Sequence, residues 1–131
     1  MIHYVSRTFG DMYSLSVVHD LPKKLGEDKP PQIGGFRPDL YARDAPVTTV
    51  IIGEAKTSQD IETEHTKKQF TAYLTHLTTV ANGIFIIAVT WTSVAVARRV
   101  LAGIACNENV KENSVKVVIL DELKECVILW P

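Results

Sequence analysis

Apolar residues recur along this chain with two different periods, and the changes from one to the other mark its elements. Residues 14–21, SLSVVHDL, and 47–56, VTTVIIGEAK, are rich in β-branched side chains and predict strands. Residues 36–42 predict another, joined to 47–56 by the turn Arg43-Asp44-Ala45-Pro46. Between 84 and 90, IFIIAVT, the alternation disappears, as it does in a central strand covered on both faces; Asn82-Gly83 is the turn before it. A helical period takes over twice. Over 60–77 it turns Ile61, His65, Phe70, Tyr73, Leu74 and Leu77 inward, with Asp60 as N-cap and Glu62 and Glu64 near the positive end of the dipole. Over 94–106, behind Thr92 or Ser93 as cap, Val96, Ala97, Val100, Leu101 and Ile104 face inward and Arg98 and Arg99 outward. VKVVIL at 115–120 is a further strand, and CVILW at 126–130 one more short strand or an apolar cap. Ile2, Val5, Phe9 and Met12 suggest a short helix in residues 1–13, against which Gly10 counts, and the prolines and glycines of 22–35 signal a loop.

The predicted order is helix, three strands, helix, strand, helix, strand. Strand–helix–strand units after a hairpin imply an α/β fold, a mixed sheet flanked by helices. At 131 residues the chain is expected to form a single domain, 1–131. Its 46% hydrophobic and 22% charged residues suit a soluble globular protein and exclude general disorder. No apolar run is long enough to span a bilayer, and the start lacks a secretory pattern. Two cysteines, Cys106 and Cys126, without metal-type spacing, suggest a reduced, cytoplasmic setting; the four histidines are too scattered for a zinc cluster.

Candidate chemistry collects on the hairpin. Glu54 and Lys56, two apart on one strand, point to the same face. With the turn centred near Ala45 and Pro46, Asp39 lies opposite Ile52 and shares that face. Two carboxylates and an ammonium are costly to bury together unless something binds there. Hard oxygen ligands of this kind suit Mg2+.

Pro38-Asp39, fourteen residues, then Glu54-Ala55-Lys56 resembles the signature of the PD-(D/E)xK nuclease superfamily, the fold of many restriction enzymes, Holliday-junction resolvases and RecB-type nuclease domains. Gln69 and Tyr73, four apart on the helix that follows, are similar to the additional QxxxY motif of RecB-type members. The resemblance in element order runs from about residue 14 to 120. It implies a restriction-endonuclease-like core and a metal-dependent deoxyribonuclease. Asp39, Glu54 and the Ala55 carbonyl would hold Mg2+ (or Mn2+), Lys56 would orient the attacking water, and Gln69 and Tyr73 would support the metal, the lysine or DNA. Members of the superfamily often take another acidic ligand from an N-terminal helix. This chain has no Glu before Glu27, so Asp11 or Asp20 would have to serve.

A formal charge of −1 argues for modest bulk attraction to DNA, so phosphate contacts would be local, from Lys23-Lys24, Lys29, Arg37, Arg43, Lys67-Lys68 or Arg98-Arg99. Trp91, at the end of a buried strand, reads as core before it reads as a base-stacking platform, and His19-Asp20 as a surface pair before it reads as part of the site. The alternative function is an inactive nuclease-fold module that binds DNA or a protein partner. A small-molecule protein using the Gly34-Gly35 loop is disfavoured, because no phosphate-cradling motif is present. A homodimer, or a place in a larger complex, would suit the hydrophobic tail.

Overall fold

A computed structural model describes residues 1–10, 14–21, 28–108, 110, 114–123 and 126–130, the last five by backbone alone. The elements are α1 (Ile2–Phe9), β1 (Ser16–His19), β2 (Leu40–Arg43), β3 (Thr49–Ala55), α2 (Glu64–Leu77), β4 (Asn82–Ala88), α3 (Val94–Asn107), β5 (Val115–Leu120) and β6 (Cys126–Trp130). The six strands lie in the sheet in chain order. β3, β4 and β5 are parallel, and the remaining neighbours are antiparallel. Two consecutive crossovers that advance the sheet in one direction put both helices on the same face when each is right-handed. Accordingly α2 and α3 cover one face, around Phe70, Tyr73, Leu101, Phe85 and Ile87. The other face carries α1, whose Val5 and Phe9 pack on Leu40, Ile51, Ile86 and Val118. The expected mixed α/β sheet is therefore present, with β6 added as a sixth strand.

Several local expectations shift. β2 begins at Leu40 rather than at Phe36, so Asp39 stands immediately before the strand. Upstream, Ile33 and Phe36 exchange backbone hydrogen bonds of 2.7 and 3.0 Å across Gly34 and Gly35, whose φ values of +58° and +85° suit a tight primed turn. A Cβ at Gly34 would lie 2.7 Å from the Ala72 Cβ. The turn therefore abuts α2 on its Gly34 side, and the positive φ of both glycines is what its backbone requires. Asn82 and Gly83 belong to β4 instead of forming a turn.

α2 starts later than expected, because Asp60 is engaged with Thr57 in the preceding turn. Thr63 is the N-cap, its hydroxyl accepting from the Thr66 N–H at 3.2 Å. His65 faces outward, edge-on to Phe36, rather than into the core. Ser93 precedes α3 without a side-chain cap, after a short 3₁₀ turn at Trp91–Ser93. Trp91 is exposed, contrary to its reading as core.

Candidate active site

Strand register brings the candidate residues together. Leu40 pairs with Gly53 and Tyr41 with Ile52. The pairing is two residues away from the expected one, which set Asp39 against Ile52, and one step further along it sets Asp39 against Glu54. The cause lies in the turn: the Asp44 N–H donates to the Thr49 carbonyl at 3.2 Å, centring the connection between Pro46 and Val47, one residue later than expected. Moving a turn centre by one residue moves the partner by two, so the shared face survives. Asp44 organises this turn, accepting from the Thr49 N–H at 2.9 Å and from the Thr48 hydroxyl, bonds that hold its carboxyl below the usual range.

At the end of β3, Glu54 is buried and its Oε1 accepts from Lys56 Nζ and from Gln69 Nε2, each at 2.9 Å. Glu54 Oε2 accepts weakly from the Asp39 N–H at 3.3 Å. Asp39 Oδ2 accepts from the Ala55 N–H at 2.8 Å. The two motif halves are therefore cross-linked in both directions, each carboxylate capping the other strand's backbone. Lys56 lies beyond the last residue of β3, but its N–H still donates to the Ala88 carbonyl at 2.9 Å, so its backbone is held while its side chain turns to Glu54. Burial pushes the Glu54 carboxyl above the usual glutamate range; the bond from Lys56 opposes this, and the charge of Asp39 adds to it.

From α2, Gln69 and Tyr73 lie one turn apart on the face that meets the sheet. Gln69 Nε2 also donates to the Tyr73 hydroxyl oxygen at 3.1 Å. Gln69 is only 5% exposed, and its Oε1 is buried without a hydrogen-bond partner. Burial drives the Tyr73 phenol far above its ordinary range, with the charges of Glu54 and Asp39 adding to the effect, so it stays neutral. All six predicted site residues, Asp39, Glu54, Ala55, Lys56, Gln69 and Tyr73, thus belong to one connected cluster.

A cleft of about 450 Å³ opens beside it, bordered by Asp39, Ala55, Asp20, Leu21, Met1 and His3. Asp20 stands next to Asp39 across the β1–β2 pair, its N–H donating to the Asp39 carbonyl at 2.9 Å, while its exposed carboxylate reaches Lys29 at 3.9 Å. Asp11, Lys23 and Lys24 lie outside the described residues. Of the other basic candidates, Lys67 pairs with Glu64 and Arg99 with Glu62, while Arg37, Arg43, Lys68 and Arg98 are exposed.

Among the described residues no group of three or more His, Cys, Asp or Glu side chains is placed to hold a metal ion. The donor set is instead two carboxylates and the Ala55 carbonyl. That set fits Mg2+ or Mn2+ in kind, because Mg2+ is commonly held by one or two carboxylates with water completing its shell. Asp39 Oδ1 makes no hydrogen bond among the described residues, and Glu54 is a buried carboxylate destabilised by its neighbour's charge. Both properties suit a bound cation.

Sequence reasoning missed the contribution of α1 and its N-cap: Met1, the N-cap, and His3 border the site. Met1 comes so close to β3 that a Cβ on Gly53 would lie 2.5 Å from its Sδ. The spacing of polar residues in α1 was available as a signal, but nothing in the chain says which sheet face a short helix will choose. Comparison with protein-family models, with curated proteins and with solved structures finds no match for this chain.

Proposed function

We propose that this chain is a metal-dependent nuclease that hydrolyses phosphodiester bonds in DNA, built on a restriction-endonuclease-like core of the PD-(D/E)xK type. The observation that carries the proposal is the convergence of Asp39, Glu54 and Lys56 at the ends of two paired strands, with Lys56 Nζ 2.9 Å from Glu54 and Gln69 on the same carboxylate oxygen. Such a cluster is costly to bury and adds nothing to the fold that apolar side chains could not supply. A divalent cation held by Asp39, Glu54 and the Ala55 carbonyl would supply charge neutralisation at the phosphoryl group and leaving oxygen.

The chain's own residues do the rest. Glu54 fixes the Lys56 ammonium, whose remaining N–H groups orient the attacking water and offset charge on the phosphoryl oxygens. The water oxygen bonds to phosphorus as the bond to the sugar oxygen breaks; the water's proton passes to solvent, and the leaving oxygen takes one from solvent. Gln69 and Tyr73 hold Glu54 in place and touch no reacting atom.

Incubating DNA with the parent chain in Mg2+ or Mn2+ should give cleavage that EDTA and Asp39→Ala each remove. Cleavage that persists in Asp39→Ala contradicts the assignment. The absence of a third acidic ligand among the described residues favours a second reading, an inactive nuclease-fold module that binds DNA or a protein partner. In that case divalent binding, followed through the electron paramagnetic resonance signal of Mn2+, is the same in parent and Asp39→Ala.

A further inference from the structure

Next to Lys56 lies a second and larger cleft, of about 630 Å³, between α1 and the C-terminal ends of the three parallel strands. Its lining joins aromatic and apolar side chains, Tyr4, Val89 and Leu120, to the cations Arg7 and Lys56. Trp91 follows Thr90, a residue of the cleft wall, and its backbone N–H donates at 2.7 Å to Glu122, another. Trp91 is 59% exposed, among the most exposed large apolar residues in the described part of the chain. Tying down the backbone beside two residues of the cleft wall while leaving Trp91 largely in solvent presents an aromatic surface next to the cleft that the fold itself does not use.

We infer that this cleft receives a single-stranded segment of nucleic acid, with phosphates on Arg7 and Lys56 and an unpaired base against Trp91. The inference rests on the nuclease reading for the position of the bond that is cut. Three features select a single strand over a duplex. An apolar, aromatic lining suits base faces, which a single strand exposes and a duplex keeps stacked. Glu122 and Asp121 also line the cleft and would repel the dense phosphate rows of a duplex, whereas two cations suffice for a strand threaded past them. A formal charge of −1 gives the chain no net positive charge to add to the attraction from which duplex binding draws much of its strength.

The test is fluorescence anisotropy of a labelled oligothymidylate and of a duplex of equal length, in EDTA so that nothing is cut. The parent chain should bind the single strand more tightly than the duplex. Trp91→Ala should weaken single-strand binding by about 5- to 150-fold, the range for losing one stacked base. Arg7→Ala should weaken it too, lowering the salt slope by about one. Both side chains are exposed, and circular dichroism checks that the variants fold. Equal affinity for duplex, or unchanged binding by Trp91→Ala, overturns the inference. A parallel assay in Mg2+ separates this result from the fate of the nuclease reading. Trp91-dependent single-strand binding without cleavage keeps the strand cleft and removes the nuclease; cleavage with Trp91-independent binding does the reverse.

Discussion

Glu54 is pulled in opposite directions by its surroundings. Burial and the charge of Asp39 favour its protonated form, while Lys56 favours the carboxylate, and burial dominates. A carboxyl whose folded-state value is raised binds its proton more tightly when folded, so its contribution to stability falls as pH rises from the ordinary glutamate range through the raised value. Glu54→Gln removes that cost. Its urea midpoint, measured against the parent's, should therefore move in the variant's favour between pH 4 and pH 7, and a difference that stays constant or reverses contradicts the direction assigned here. In the nuclease reading the same proton would compete with a divalent cation, so Mn2+ affinity of the parent should rise with pH across the titration of Glu54. Gln69 holds this carboxylate through its side-chain amide, and in the nuclease reading it acts only through that contact. Gln69→Leu should lower Mn2+ affinity by about 10- to 100-fold, the usual effect of removing a residue that orients a metal ligand. Isothermal titration reads that loss directly, and a merely structural role for Gln69 would leave it unchanged.

At the scale of elements, the β2–β3 connection decides whether a site exists at all, because its register sets Asp39 against Glu54. Asp44 holds the turn through Thr48 and Thr49, and its lowered carboxyl value means that this stabilisation is present above the ordinary aspartate range and lost as pH falls through the folded value. Asp44→Ala should lower the urea midpoint at pH 7 and flatten its decline in acid. Val47 stands in the same turn with φ +57°, a conformation that a β-branched residue rarely adopts. Val47→Asn should raise stability by about 1 kcal/mol, since asparagine tolerates the left-handed region. Where β4 passes α2, a Cβ on Gly83 would lie 2.4 Å from the Leu77 carbonyl oxygen. That neighbour is backbone and cannot swing away, so Gly83→Ala should cost about 1–3 kcal/mol in chemical denaturation. The hairpin was legible from its β-branched run and Pro-containing turn, and the common face of Asp39 and Glu54 from parity alone. The pairing itself was not, because Asp44, four residues beyond the strand's start, moved the turn centre through side-chain bonds that composition does not reveal.

Taken whole, the described residues form a six-stranded mixed sheet with α2 and α3 on one face and α1 on the other, and no helix among them is long and apolar enough to cross a membrane. The order of elements could be read from the two periods, since IFIIAVT and VKVVIL carry unmistakable strand patterns and the spacing from Phe70 to Leu77 is helical. What could not be read was tertiary: that Trp91 would stay in solvent, or that the N-terminal residues Met1, His3 and Arg7 would reach the ends of the parallel strands. Those placements depend on which sheet face each helix takes, and no local pattern specifies it. The candidate site lies where ligands commonly bind in sheets of this kind, at the C-terminal ends of the parallel strands, and here the antiparallel β2 meets the parallel β3. The most direct test of the account is cleavage of a DNA panel of single strand, duplex, flap and four-way junction in Mg2+ and in EDTA, by the parent chain and by Lys56→Ala. Metal-dependent cutting by the parent, abolished in a Lys56→Ala chain whose circular dichroism is unchanged, is the predicted result. A folded Lys56→Ala chain that cuts as well as its parent, or a folded parent that cuts none of the panel, would contradict it.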